Sequence, residues 1–149
     1  MTYFEKQLNP HERRMTAAVA GLGILPDFTV EGNTLRMKRY PLTLAAYIEQ
    51  NDITSVEQLD WIASSIDDKI GRLHDLGIVH MDLHTQNIVI DPVAHDVRLI
   101  DLGMSRWIRD LHEGDMLDCA TFLPGFCYGT DYKGDIMAYE YRMWKMDYF

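Results

Sequence analysis

The sequence predicts an α+β fold, on the strength of one long helical repeat and an abrupt change of period after it. Between Val56 and Leu76 the residues Leu59, Ile62, Ile66, Ile70 and Leu73 recur three and four positions apart, the spacing of one helix face, and Gly77 stops the run. Beyond Gly77 the apolar residues come in short bursts, Ile78-Val79, Ile88-Val89-Ile90 and Val97-Arg98-Leu99-Ile100, as in strands. At 149 residues the chain suits one domain, taken to run over 1–149.

The elements follow in order. Tyr3-Phe4-Glu5-Lys6-Gln7-Leu8 reads as a short N-terminal strand. Asn9 to Gly21 reads as the first helix, because Asn9 is a good N-cap, Pro10 takes the favoured first position, and Gly21-Leu22-Gly23 supplies a C-cap. Those two glycines follow a helix rather than a strand and have no third partner, so they are not a nucleotide loop. Asp27–Val30 and Thr34–Arg39 read as two strands joined by Glu31-Gly32-Asn33. Pro41 breaks the pattern, and Leu42 to Gln50 reads as a short helix with Leu44, Tyr47 and Ile48 on one face. Ser55, with Gln58 three residues on, is a candidate capping box for the long helix. Asp91-Pro92 opens the turn between the last two strands. Leu123–Gly134 reads as a loop, and Asp135–Met146 as a final aromatic-rich helix.

Composition narrows the function. With 14 Lys plus Arg against 23 Asp plus Glu, the net charge of −9 argues against a protein that tracks nucleic-acid phosphates. It leaves room for a nucleotide bound through a metal ion. No apolar run approaches the roughly 18 residues of a membrane span. Met1–Lys6 lacks the basic start and apolar stretch of a signal peptide, so a cytoplasmic location is expected. Cys119 and Cys127 are the only cysteines and have no second pair with which to build a zinc site, so both are expected as thiols.

The chemistry lies between Leu73 and Arg106. His80-Met81-Asp82-Leu83-His84-Thr85-Gln86-Asn87 is followed, two apolar strands later, by Asp101-Leu102-Gly103. Singly, Asp82 and Asn87 read as turn caps and Asp101 as a strand end. Together and in this order they resemble the protein-kinase-like superfamily, whose catalytic loop reads H-R-D-L-x-x-x-N and whose metal motif reads D-F-G. The resemblance implies a reduced kinase-like fold with a truncated N-lobe (1–39) and a hinge and shortened helical C-lobe (40–149). It also implies ATP and Mg²⁺ as cofactors. Asp82 would orient the attacking hydroxyl and accept its proton, Asn87 and Asp101 would hold the metal, and Gly103 would give the backbone freedom to turn. His80 would pack beneath the loop. Met37 would stand at the back wall of the adenine pocket, with backbone groups of Lys38 to Tyr40 meeting the base.

The departures from that family matter as well. Eleven residues precede Glu12, and no G-x-G-x-x-G occurs anywhere. Glu12 is either the helix glutamate that pairs with a phosphate-binding lysine or a charge complementing the helix dipole. Lys6 is either that lysine or a solvated surface residue. Met81 replaces the arginine that binds a phosphorylated activation loop in regulated kinases, so that switch is not expected. His84 makes the loop H-x-D-L-H-x-x-N, similar to aminoglycoside and choline kinases, which opens the acceptor to a protein or a small-molecule hydroxyl. Gly129-Thr130 and Ala138-Tyr139-Glu140 resemble the end of an activation segment; alternatively, Asp135–Tyr139 begins the next core helix. The expected activity is phosphoryl transfer to a hydroxyl, protein Ser/Thr kinase-like. An inactive nucleotide- or partner-binding pseudokinase is the alternative and ATP hydrolysis a third, with a homodimer covering the phosphates, or a protein partner, as the candidate assembly.

Overall fold

A computed structural model describes residues 2–53 and 56–110 of the chain. Strand β1 (Tyr3–Gln7) leads into helix α1 (Pro10–Ala18), and β2 (Phe28–Glu31) and β3 (Thr34–Lys38) form a hairpin. These strands make an antiparallel sheet in the order β1-β3-β2, with Lys6 opposite Leu35 and Phe28 opposite Met37. Gly32 opens the two-residue hairpin loop at φ +61, a value glycine adopts without steric cost. Leu8, Leu35 and Met37 form a small core on one face of the sheet, closed by Phe28, Val30 and Ile100.

The second half begins with β4 (Leu42–Thr43) and α2 (Leu44–Gln50), continues through a 3₁₀ turn (Val56–Leu59) into α3 (Asp60–Asp75), and then turns to β5 (Ile78–Val79). A 3₁₀ turn (Thr85–Asn87) leads to β6 (Ile88–Asp91) and β7 (Asp96–Leu99). Last come β8 (Arg106–Trp107) and a 3₁₀ turn (Ile108–Asp110). Strands β4, β6 and β7 form one sheet, and β5 pairs with β8.

The stripe read from the sequence is the seam of this half. Leu59, Ile62, Ile66, Ile70 and Leu73 are all buried, packed with Leu44, Ile48, Leu83, Ile88, Val97 and Leu99. Burying each such side chain is worth about 1.5–3 kcal/mol relative to exposure, so α3 is the platform on which the loop between β5 and β6 is built. Trp61 of α3 stacks on His95 of the β6–β7 turn, ring centres 4.4 Å apart. That turn is set by Asp91, whose Oδ1 accepts from the Val93 and Ala94 amides.

The expected α+β architecture is present, with several local boundaries moved. Helix α1 stops at Ala18, and Gly21 and Gly23 (φ +74 and +71) shape the loop beyond it rather than its C-cap. Leu42 and Thr43 pair with Ile90 and Val89 as a strand, and the Thr43 hydroxyl then caps α2 by accepting from the Ala46 amide. Packing thus takes two residues that local pattern assigned to the helix. Gly77 ends α3 as expected, at φ +79, with its amide bonded to the His74 carbonyl. The Ser55 cap, Cys119, Cys127, the loop at 123–134, both readings of Gly129–Tyr139 and the helix at 135–146 lie outside the described residues.

Candidate active site

Alternation along β1 places Phe4 and Lys6 on one side of the strand, and both line cavities between the first sheet and the β6–β7 pair. Asn9 caps α1 by accepting from the Glu12 amide at 2.8 Å, so Glu12 sits in the first turn facing inward. There the Lys6 ammonium donates to Glu12 Oε2 at 2.8 Å and reaches Asp101 Oδ1 at 3.4 Å. Lys6 is therefore no solvated lysine, and Glu12 is paired with it rather than left as a dipole charge. Partial burial alone would lower the Lys6 pKa; the Glu12 hydrogen bond and the charges of Asp101 and Glu12 outweigh this and hold it above its ordinary 10.5.

Asp101 follows β7 in a left-handed conformation, φ +62, which aims its carboxylate back toward β1 and α1. Its Oδ1 accepts from the Gly103 amide at 3.1 Å as well as from Lys6. Burial raises the Asp101 pKa, but the Gly103 amide and the Lys6 charge more than compensate and keep it below 3.8. The expected role of Gly103 as the flexible turn is corrected here: the positive φ belongs to Asp101. Space at 103 is tight instead: a Cβ there would lie 3.1 Å from Asp101 Oδ1, so the carboxylate would have to give by a few tenths of an ångström.

The loop between β5 and β6 is organised from beneath by His80, which is fully buried. Its Nδ1 accepts from the Asp82 amide at 3.2 Å, so its Nε2 carries the proton and donates to the Ile100 carbonyl at 2.8 Å. One imidazole thus ties the start of the loop to the residue before Asp101. Met81 takes φ +71, a costly conformation for a non-glycine residue, and is buried. Asn87 Nδ2 donates to the Asp82 carbonyl at 3.0 Å and reaches Asp82 Oδ2 at 3.4 Å. His84 Nδ1 accepts from the Gln86 amide, and its Nε2 lies 3.0 Å from Asn87 Nδ2 and 3.9 Å from Asp82 Oδ2.

The donor set fits a hard cation. Nδ2 of Asn87 is held by Asp82, leaving the amide oxygen, and Oδ1 of Asp101 is doubly engaged, leaving Oδ2. Asn87 and Asp101 line one cavity together with Lys6 and Glu12. Among the described residues no three His, Cys, Asp or Glu side chains converge into a closed cage. One carboxylate and one amide oxygen suit Mg²⁺, which keeps waters and is completed by substrate phosphates.

Beside this cluster lies a cavity of about 390 Å³, lined by Phe4, Met37, Lys38, Tyr40, Val89 and Ile100 among others. Met37 is one of the lining residues. The Lys38 and Arg39 amides are already bonded to the Asp27 and Thr2 carbonyls, so a base meeting this segment has the Tyr40 amide and the carbonyls to use. The Tyr40 hydroxyl donates to Asp96 in a short bond. The sequence reading missed Phe4, Val89 and Ile100 as lining residues, although strand alternation was a signal for Phe4. It also missed His11, whose Nε2 donates to the Ser105 carbonyl at 2.6 Å and joins α1 to the segment after Asp101.

Residues 33–132 match the protein kinase domain model. Over 82 residues the chain is 34% identical to serine/threonine-protein kinase cek1 of Schizosaccharomyces pombe, covering 49% of this chain and 6% of that protein. It is also 38% identical over 69 residues to serine/threonine-protein kinase PSK2 of Saccharomyces cerevisiae, covering 44% of this chain and 6% of that protein. The chain therefore spans a small fraction of the length of these relatives. The family match begins at Asn33, so the place of Lys6 and Glu12 in the site rests on geometry alone.

Proposed function

This chain belongs to the protein kinase domain family, and on that premise we propose that it is an ATP- and Mg²⁺-dependent phosphotransferase acting on a hydroxyl, the Ser/Thr hydroxyl of a protein first among candidates. The observation that carries the reading is the meeting of Lys6, Glu12 and Asp101 at 2.8 and 3.4 Å on the cavity that Asn87 also lines. Phosphoryl transfer needs positioning and charge neutralisation more than covalent chemistry from the protein, and these groups supply both.

In this reading the 390 Å³ cavity takes the base, and Lys6, steered by Glu12, contacts the phosphates. Asp101 Oδ2 and the Asn87 amide oxygen would hold Mg²⁺, which when bound would supply positive charge against the phosphates. Asp82, kept in place by Asn87 and by the His80 contact to its amide, accepts the proton of the attacking hydroxyl. The acceptor oxygen bonds to the γ-phosphorus as the bond to the β-phosphate oxygen breaks, and ADP leaves.

A catalytically inactive nucleotide- or partner-binding module is the second reading. It is favoured by the direct Lys6–Asp101 contact at 3.4 Å, in which a cation of the chain itself already neutralises the carboxylate that Mg²⁺ would use. Labelled ATP with Mg²⁺, alone and with a generic protein substrate, separates the two when wild type is compared with Asp82→Ala and Asp101→Ala. Transfer by wild type that both variants lose supports the kinase. No transfer or hydrolysis above the variants refutes it. Nucleotide at a hundredfold over its dissociation constant stabilises a binder by about 2.7 kcal/mol, so a missing thermal shift removes nucleotide binding as well.

A further inference from the structure

Strand β7 delivers Asp101 to the site, and its side chains alternate. Val97 and Leu99 enter the core, while Asp96 and Arg98 face the other way and stay half-buried. On that second face Arg98 makes two directed contacts: its Nε lies 3.1 Å from Asp96 Oδ1, and its Nη1 donates to the Leu25 carbonyl at 2.9 Å. Asp96 in turn accepts from the Tyr40 hydroxyl through its other oxygen. The Asp27 carboxylate is 3.8 Å from Arg98, and Lys69 of α3, buried, adds its charge to the environment of Asp96.

Leu25 belongs to the loop that leaves α1, the helix carrying Glu12. Three carbonyls of this loop are gripped by the second half of the chain: Leu22 by Arg72 at 3.1 Å, Ile24 by the Leu99 amide at 2.9 Å, and Leu25 by Arg98. Of these three, Arg98 also connects to the hinge, through Asp96 and Tyr40. It therefore ties together the loop behind Glu12, the segment lining the cavity, and the strand that ends just before Asp101.

We propose that Arg98 is a positioning residue that fixes the Lys6–Glu12 pair relative to Asp101, and so sets how well the site holds phosphates and metal more than how well it holds the base. The proposal rests on the nucleotide reading above for its ligand. A guanidinium suits the task because its planar fork bonds a carboxylate and a carbonyl at once. Asp96 and Asp27 face Arg98 and favour a cation there, against the opposing positive charge that Lys69 of α3 adds to the environment of Asp96.

The test compares affinity for adenosine with affinity for Mg·ATP in wild type, Arg98→Met and Arg98→Lys, alongside hydrogen exchange of the Leu99 and Lys38 amides, which are bonded to the Ile24 and Asp27 carbonyls. Arg98→Met should weaken Mg·ATP about tenfold and leave adenosine within about twofold, with Arg98→Lys intermediate. Both amides should exchange at least tenfold faster in Arg98→Met. Equal loss of adenosine and Mg·ATP, or no change in either, overturns the positioning role. If wild type binds no nucleotide, the kinase reading fails by itself, and unchanged exchange rates would then refute the tie separately. Should Arg98→Met not fold, Arg98→Lys carries the same comparisons and Tyr40→Phe, at a residue that lines the base cavity, carries the exchange comparison alone, being expected to speed exchange at Lys38; unchanged rates in both again refute it.

Discussion

Replacing Lys6 by Met should cost more stability than replacing Glu12 by Gln, because the two partners are unequally buried. The Glu12 side chain is 6% exposed and that of Lys6 is 32% exposed. At 2.8 Å and an effective dielectric near 20, the gross attraction is about 6 kcal/mol, much of it offsetting desolvation. Lys6→Met strands a buried carboxylate. Breaking a fully buried pair costs about 3–5 kcal/mol, and access of water on the lysine side puts this one near about 3 kcal/mol. Glu12→Gln leaves an ammonium that still reaches Asp101 and solvent, at a cost of about 1 kcal/mol. The double variant removes both charges and should recover about 2 kcal/mol relative to the sum of the single effects. Urea denaturation of the four proteins at neutral pH with a constant m-value measures all of this. Equal losses from the two single variants, or strict additivity in the double variant, would refute the assignment of Glu12 as the buried partner.

Further tests reach the rest of the molecule. Gly103→Ala should weaken Mg·ATP binding about tenfold in calorimetry while changing stability by less than about 1 kcal/mol. Its backbone does not need a positive φ, whereas a Cβ 3.1 Å from Asp101 Oδ1 displaces the carboxylate. Ile66→Ala should destabilise by about 3 kcal/mol in urea, because the side chain is wholly buried on the α3 seam, and a loss below about 1 kcal/mol would contradict that packing. In alkali, Tyr40 and Lys6 both hold their protons past their ordinary 10.0 and 10.5, Tyr40 through burial and its bond to Asp96. Their contribution is complete below those values. It is lost as pH rises through the folded-state values, where the unfolded chain binds fewer protons. Thermal melts from about pH 9 to 12 should show stability level up to about pH 10 and declining above it, and Tyr40→Phe should flatten the decline.

What could be read from the sequence is what depends on near neighbours along the chain. The Asn9 cap, Pro10 at the helix start, Gly32 in the hairpin, the α3 stripe and the Asp91 turn each satisfy hydrogen bonds or bury a face within a few residues, so local pattern suffices. The order His80, Asp82, Asn87, Asp101, Gly103 was equally visible, because one loop and one strand pair carry it. Boundaries slipped where packing outbid local preference, as at Leu42 and Thr43, which a strand partner recruits.

Roles that depend on distant partners were not legible. Lys6 had two open readings until the fold brought it to Asp101, 95 residues away. Arg98 gave no signal at all, since its acceptor is a main-chain carbonyl 73 residues earlier, and every residue type has one. Gly103 was read as a flexible turn, whereas the structure gives the positive φ to Asp101 and leaves a Cβ at 103 crowded by the Asp101 carboxylate. The sequence by itself determined the family motif and the order of its candidate residues along the chain. Only the tertiary structure decided which of them meet, because charge pairing across a cleft is set by how sheet and helices pack, not by spacing along the chain.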